Sequence, residues 1–115
     1  MPRFSSRGHN PGRTSNNPGI CDSGAQLTVI PCSLLEQLKI KPETIIPVQT
    51  EVNGASDVPI MVDGGVLLKI TATNTSSGEV RHSYQLAYVS RHIQVTYLSL
   101  RACIDLGSIP ASGLL

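Results

Sequence analysis

Ile20-Cys21-Asp22-Ser23-Gly24-Ala25-Gln26-Leu27-Thr28-Val29-Ile30-Pro31 is the stretch on which the reading of the fold depends. An acid, a hydroxyl and a glycine stand together at Asp22, Ser23 and Gly24. The β-branched, apolar run from Leu27 to Ile30 behind them predicts a buried strand. Gly24 permits a tight turn, backbone amides beside it can hold the carboxylate, and the Ser23 hydroxyl can brace the loop. By average residue usage, an Asp-Ser/Thr-Gly triplet arises by chance in roughly one chain in twenty of this length. The weight therefore falls on what surrounds it.

Upstream, Met1 to Gly19 carries Arg3, Arg7 and Arg13, no acids, and a scatter of Ser, Asn, Gly and Pro with a single Phe. Such a composition buries too little surface to order itself, so a disordered, solvated basic leader is expected over residues 1–19. Downstream, Pro31 stops the strand. Ser33-Leu34-Leu35-Glu36 has the form of a capping box and predicts a short helix to Leu38 or Lys39, closed by Pro42. Thr44 to Val52 predicts a strand in which Pro47 marks an edge or a bulge. Asn53-Gly54 is the strongest hairpin signal in the chain and opens a small, polar segment reaching Pro59.

Ile60 to Val62 follows, and Asp63-Gly64-Gly65 predicts another turn before the strand Val66 to Thr71. Asn74 to Gly78 reads as a loop, which is also the plain reading of the glycosylation-like Asn74-Thr75-Ser76. Glu79 to Ser90 predicts a strand with its apolar side on Val80, Tyr84, Leu86 and Tyr88, and Ile93 to Leu98 an alternating strand. Ser99 is placed to cap a last helix, Leu100 to Leu106, which Gly107 ends; residues 111–115 form a tail. Short strands with regular turn signals and one or two short helices predict a mostly β, closed or two-layered domain.

Composition narrows the function classes. A chain of 115 residues is one domain or less. With 3% aromatics and no Trp, its interior must be filled by Val, Ile and Leu. A net charge of +1 rules out a strong electrostatic case for nucleic acid or a membrane surface, and the few aromatics argue against a base-stacking platform. That leaves a nucleic-acid-binding β domain acting through the basic leader as the weakest of the function classes. No apolar run approaches a membrane span and the first residues lack a signal-peptide core, so an intracellular, cytoplasmic protein is expected. Three widely spaced cysteines, Cys21, Cys32 and Cys103, predict reduced, mostly buried thiols and no zinc knuckle. His82 and His92 fall on surface positions. Only His9 precedes Ser23, which excludes a trypsin-like triad.

From Ile20 to Pro110 the order of these landmarks resembles the retropepsin-like aspartic proteases, most closely the protease segments of retrotransposon polyproteins. Asp22-Ser23-Gly24-Ala25 matches the family's active-site turn, and Ser33 to Ile40 its Leu-rich segment. Asn53, Gly54, Ala55 and Ser56 look like the tip of the flap, with Gly64 or Gly65 as the glycine after it. Tyr97-Leu98-Ser99-Leu100-Arg101 lies where the family carries its Ile-Leu-Gly motif, so Leu98 and Ser99 would pack behind the turn. Ser99 stands in place of the family's glycine, and only Ile20 and Cys21 stand where it has a full strand before its Asp.

The resemblance implies a small closed β-barrel with one lobe per chain, no metal or cofactor, and an extended peptide substrate. It makes Asp22 the catalytic acid, with Ser23, Gly24 and Ala25 supporting it. Two carboxylates must then share one proton and one water, because like charges so close cannot both ionise. Asp57, Asp63 and Asp105 lack a following Ser/Thr-Gly, so the second acid is expected from a second copy across a two-fold axis. The alternative is a catalytically silent domain of the same fold, serving as a binding or dimerisation module.

Overall fold

The structure is a computed structural model that describes residues 3–6, 15–16, 19–21, 26–53, 59–74 and 76–107. In chain order its elements are β1 (Arg3–Ser6), β2 (Ser15–Asn16), β3 (Gly19–Cys21), β4 (Thr28–Pro31) and α1 (Cys32–Gln37). A 3₁₀ turn (Pro42–Thr44), β5 (Ile46–Asn53), β6 (Pro59–Thr73), β7 (Val80–Ser90), β8 (Thr96–Leu98) and α2 (Leu100–Asp105) follow. The fold is mostly β. Its strands form one mixed sheet in the order β2-β1-β6-β7-β4-β8-β3, with β5 paired to β6 beside that path.

The sheet is built on β6 and β7, which pair in unbroken antiparallel register from Gly64↔Val89 to Thr73↔Val80. Asn74 closes this hairpin as the loop reading expected: its side-chain oxygen accepts the amides of Ser76 at 2.9 Å and Ser77 at 3.3 Å. Asn and Asp favour such turns because a short polar side chain can replace a backbone partner. The main core holds Phe4, Ile30, Leu34, Leu38, Leu68 and Ile70, with Ala102 and Cys103 contributed by α2. A smaller cluster gathers Val29, Val52 and Val62 with Tyr88 and Ile93. β4 feeds both, Ile30 to the larger and Val29 to the smaller, as strand alternation requires. No helix among the described residues is long and apolar enough to cross a membrane.

Several expectations are corrected. The sheet is not a closed barrel: β2 and β3 each end it with one neighbour among the described residues. The first residues are not all solvated leader. Arg3–Ser6 pair with Leu68 to Thr71 of β6, and Phe4 is fully buried in the main core. One aromatic side chain, with a large area to remove from water, supplies what the surrounding polar composition lacks.

Ser33 does not cap α1. The helix starts at Cys32 with Pro31 at its N-cap and no side-chain cap bond. It ends well before Pro42, at Gln37 with Leu38 as its C-cap, and the next residue, Lys39, takes a φ of 55° while Lys39 N–H donates to Glu36 O and Ile40 N–H to Leu35 O. This is a Schellman ending without its usual glycine, and buried Ile40 supplies the hydrophobic contact that accompanies it.

Asp63-Gly64-Gly65 is not a turn either, because β6 runs straight through it. Gly64 sits between Pro47 of β5 and Val89 of β7, and a Cβ there would lie 2.6 Å from Ile45 Cγ2. Close approach of Ile45 and Ile46 from the adjacent segment, not a positive φ, is what needs the glycine. The pattern of β7 is also inverted, except at Tyr88, which packs against the smaller cluster. Val80, Tyr84 and Leu86 are exposed, while Ser83, Ala87 and Val89 are buried.

β5, by contrast, follows the sequence. It pairs only with β6 among the described strands, and its register shifts between Pro47 and Thr50, as the proline predicted. Ser99 caps α2 through its hydroxyl, and Gly107, at φ 78°, follows the helix end. β8 is shorter than expected, covering only Thr96–Leu98.

Candidate functional site

The corner where the resemblance places the site is built by three short strands. β3 runs parallel to β8, pairing Cys21 with Leu98, while β4 runs antiparallel to β8, pairing Val29 with Tyr97. The chain therefore leaves β3 on one edge of β8 and resumes as β4 on its other edge. Asp22, Ser23, Gly24 and Ala25, between these strands, lie outside the described residues. β4 is fixed on its far side by parallel pairing with β7, from Thr28↔Ala87 to Pro31↔Ser90.

Ser99 ties the corner together. Its backbone amide donates to Thr28 Oγ1 at 3.1 Å, and its hydroxyl donates to Gln85 Oε1 at 3.2 Å. The same hydroxyl oxygen accepts the Ala102 amide at 3.1 Å, which is the cap of α2. Gln85 in turn donates to Ser83 Oγ at 2.8 Å, and Ser83 Oγ donates to Asp105 Oδ2 at 2.8 Å. Arg101 completes the chain by donating to Asp105 Oδ1 at 3.1 Å.

This network explains why β7 turns Ser83 towards the interior and leaves Leu86 outside. Buried polar atoms are tolerated where every one finds a partner. Leu98 is buried in the main core beside Cys103 and Ala102. Thr28, Ser83 and Gln85 carry no role in the sequence reading, and Asp105 enters it only as an acid without a following Ser/Thr-Gly. Polar residues at alternate positions of an otherwise apolar strand were the available signal. Thr96 is a contrast, since its buried hydroxyl has no partner among the described residues.

The cysteines require a correction. Cys21 and Cys103 form a disulfide with a Cα–Cα distance of 5.9 Å across a sequence separation of 82 residues. Only Cys32 is free, and it is half-buried. Wide spacing along the chain hid the pair, because β3 lies on β8 and α2 starts two residues after β8 ends. Burial, reinforced by the nearby Asp63 charge, pushes the Cys32 thiol above its ordinary pKa, which keeps it protonated and a poor nucleophile.

The flap expectation falls on the β5–β6 hairpin. Its last register pair is Asn53↔Pro59, so the two strands do form a hairpin at Asn53. Gly54, Ala55 and Ser56 lie outside the described residues. At the other end of this hairpin Asp63 accepts two hydrogen bonds from Arg91, at 3.1 and 3.2 Å. That contact holds the Asp63 carboxyl below the usual range and raises the Arg91 guanidinium. His82 lies exposed on the outer face, sharing a hydrogen bond of 3.1 Å with Thr71. Among the described residues, no group of three or more His, Cys, Asp or Glu side chains comes together to hold a metal ion. Compared with protein-family models and with curated proteins, the chain matches none.

Proposed function

We propose that this chain is one lobe of a homodimeric aspartic endopeptidase of retropepsin type, acting on extended peptide segments of a polyprotein in the cytoplasm. The observation that carries this reading is the arrangement around β8. The strands on either side of Asp22-Ser23-Gly24-Ala25 lie on opposite edges of that one strand, and Ser99 bonds Thr28 from behind. The two strands that bound this segment are each paired to β8, which supports reading it as a loop held at both ends.

In the proposed mechanism Asp22 and its counterpart from a second copy share one proton. The ionised carboxylate takes a proton from the bound water as its oxygen attacks the scissile carbonyl carbon. The protonated carboxyl donates to the carbonyl oxygen, and collapse of the tetrahedral species passes a proton to the departing amide nitrogen. The β5–β6 hairpin would cover the substrate strand and pair with its backbone.

Cleavage of a peptide library at mildly acidic pH tests this. Asp22→Asn should lower the rate at least about 10²–10⁴-fold, the scale of lost acid–base catalysis. Specific activity of the unaltered chain should fall on dilution as the dimer separates. Equal cleavage by Asp22→Asn, or activity independent of concentration in a monodisperse monomer, would refute the proposal. A silent binding or dimerisation module is the second reading. It is favoured by the brevity of β3, whose Ile20 and Cys21 are both exposed, and it expects self-association without cleavage.

A further inference from the structure

We propose that the Cys21–Cys103 disulfide is a thiol-reversible clamp, through which the redox state of the surroundings sets how firmly β3 is held. The two sulfurs sit in opposite environments. Cys21 is exposed on an end strand of the sheet, whereas Cys103 is fully buried in the main core. A reductant therefore reaches only one of them.

The step follows from that asymmetry. A thiolate of a dithiol reductant attacks Cys21 Sγ, the protein S–S bond breaks, and Cys103 Sγ leaves with the electron pair and takes up a proton. The reductant's second thiolate then attacks its own sulfur in the mixed disulfide and expels Cys21 as a thiolate, which is protonated in turn. The protein gains two electrons and two protons, and the dithiol becomes a cyclic disulfide. Cys103 Sγ lies 3.8 Å from Leu98 O, so the buried thiol formed by reduction has an acceptor waiting. A small apolar thiol is at ease in a core, and reduction leaves no charge stranded there.

What opens is β3 and not α2. α2 keeps its Ser99 cap, the Asp105–Ser83 bond and buried Ala102 and Leu106 whether or not the bond is present. β3 keeps only three register pairs to β8, from Gly19↔Thr96 to Cys21↔Leu98, and none of its side chains is buried. Cys21 is thus the anchor of this strand to the core. In an oxidising compartment the clamp is closed. Against a cytosolic thiol pool, where disulfides rarely persist, it is open. Asp22 is the next residue in the chain; any consequence of the clamp for peptide hydrolysis rests on the function proposed above.

The test uses the whole chain, equilibrated with oxidised glutathione or with dithiothreitol. Alkylation after unfolding should label only Cys32 in the first sample and three cysteines in the second. Amide exchange of peptides covering Gly19–Cys21 should quicken about tenfold or more on reduction, with exchange in α2 and the β6–β7 hairpin unchanged. Cys21→Ser, at an exposed position, should exchange like the reduced chain in both conditions. Three labelled cysteines after oxidation, unchanged exchange at residues 19–21, or equal quickening in α2 and β6–β7 would each overturn the clamp. If exchange responds but neither form cleaves peptide, the clamp stands and the peptidase proposal fails. If both forms cleave at one rate, the peptidase stands and control by the clamp fails.

Discussion

The β6–β7 hairpin and the β3–β8–β4 corner solve the same problem, holding strands in place, by opposite means. The hairpin is long and local: consecutive backbone pairs run from Gly64↔Val89 to Thr73↔Val80, closed by a short Asn74 turn. The corner is short and non-local. β4 meets β8 at the single pair Val29↔Tyr97, and β3 meets it over three residues. What the corner lacks in backbone pairing it makes up in side chains, through the Ser99 network and the Cys21–Cys103 bond. A region held by many repeated bonds tolerates the loss of any one. A region held by a few particular atoms does not, but it can be positioned sharply and released by local chemistry.

Perturbing each region separates these designs. The largest effect on stability is expected from Leu68→Ala, in the centre of β6 and fully buried in the main core. Truncation there should cost about 2–5 kcal/mol, read as a lower denaturant midpoint for the whole domain. A loss below about 1 kcal/mol would mean that the hairpin does not carry the main core.

In the corner, Ser99→Ala removes the α2 cap and leaves Gln85 Oε1 without its hydroxyl donor, for an expected loss of about 1 kcal/mol. Ser99→Gly should cost only a few tenths of a kcal/mol as a cap, yet it loses the same Gln85 bond. If the two variants melt alike and below the unaltered chain, the Gln85 bond outweighs the cap. If Ser99→Gly matches the unaltered chain, the cap is what Ser99 supplies.

The smallest effect is expected at Asp63, whose pair with Arg91 joins β6 to the end of β7 at the solvent surface. The hydrogen bond from Arg91 lowers the folded carboxyl below its unfolded value. Its stabilisation is therefore present above the ordinary carboxylate range, about pH 4, and is lost as pH falls through the lowered value. Asp63→Asn should flatten that acid limb of the stability profile and do little at neutral pH, least of all in high salt. An unchanged acid limb would show that the pair makes no net contribution.

Local signals in the sequence proved dependable where the cause was local. Pro47 marked an irregular edge strand, Asn74 a turn, Asn53 a hairpin end and Ser99 a helix cap, because each of these properties belongs to a residue and its near neighbours. Reading failed where a distant segment intervened. Gly64-Gly65 has turn chemistry, but β6 pairs with β5 on one side and β7 on the other through these residues, and Ile45 packs close against Gly64. The apolar phase of β7 named Val80, Tyr84, Leu86 and Tyr88 as the inner face, and of these only Tyr88 packs against a core cluster. α2 instead brings Asp105 and the Ser99 hydroxyl to Ser83 and Gln85, and these satisfied polar groups turn inward. Phe4 looked stranded in a polar leader until β6 offered it an edge and a core. Of the candidate site, Ser99 is bonded to Thr28 and Leu98 is paired with Cys21, while Asp22 to Ala25 and Gly54 to Ser56 rest on the sequence.

By itself, then, the sequence determined a mostly β chain, the positions of its clearest punctuation, and the acid-hydroxyl-glycine triplet from which a function can be proposed. Only the tertiary structure decided that the sheet stays open, that Cys21 meets Cys103, and which side of β7 is inside. Propensity, capping and turn chemistry act over a few residues and are written into the local order of side chains. Strand order, disulfide pairing and the burial of a polar face depend on contacts between segments far apart in the chain, which that local order does not contain.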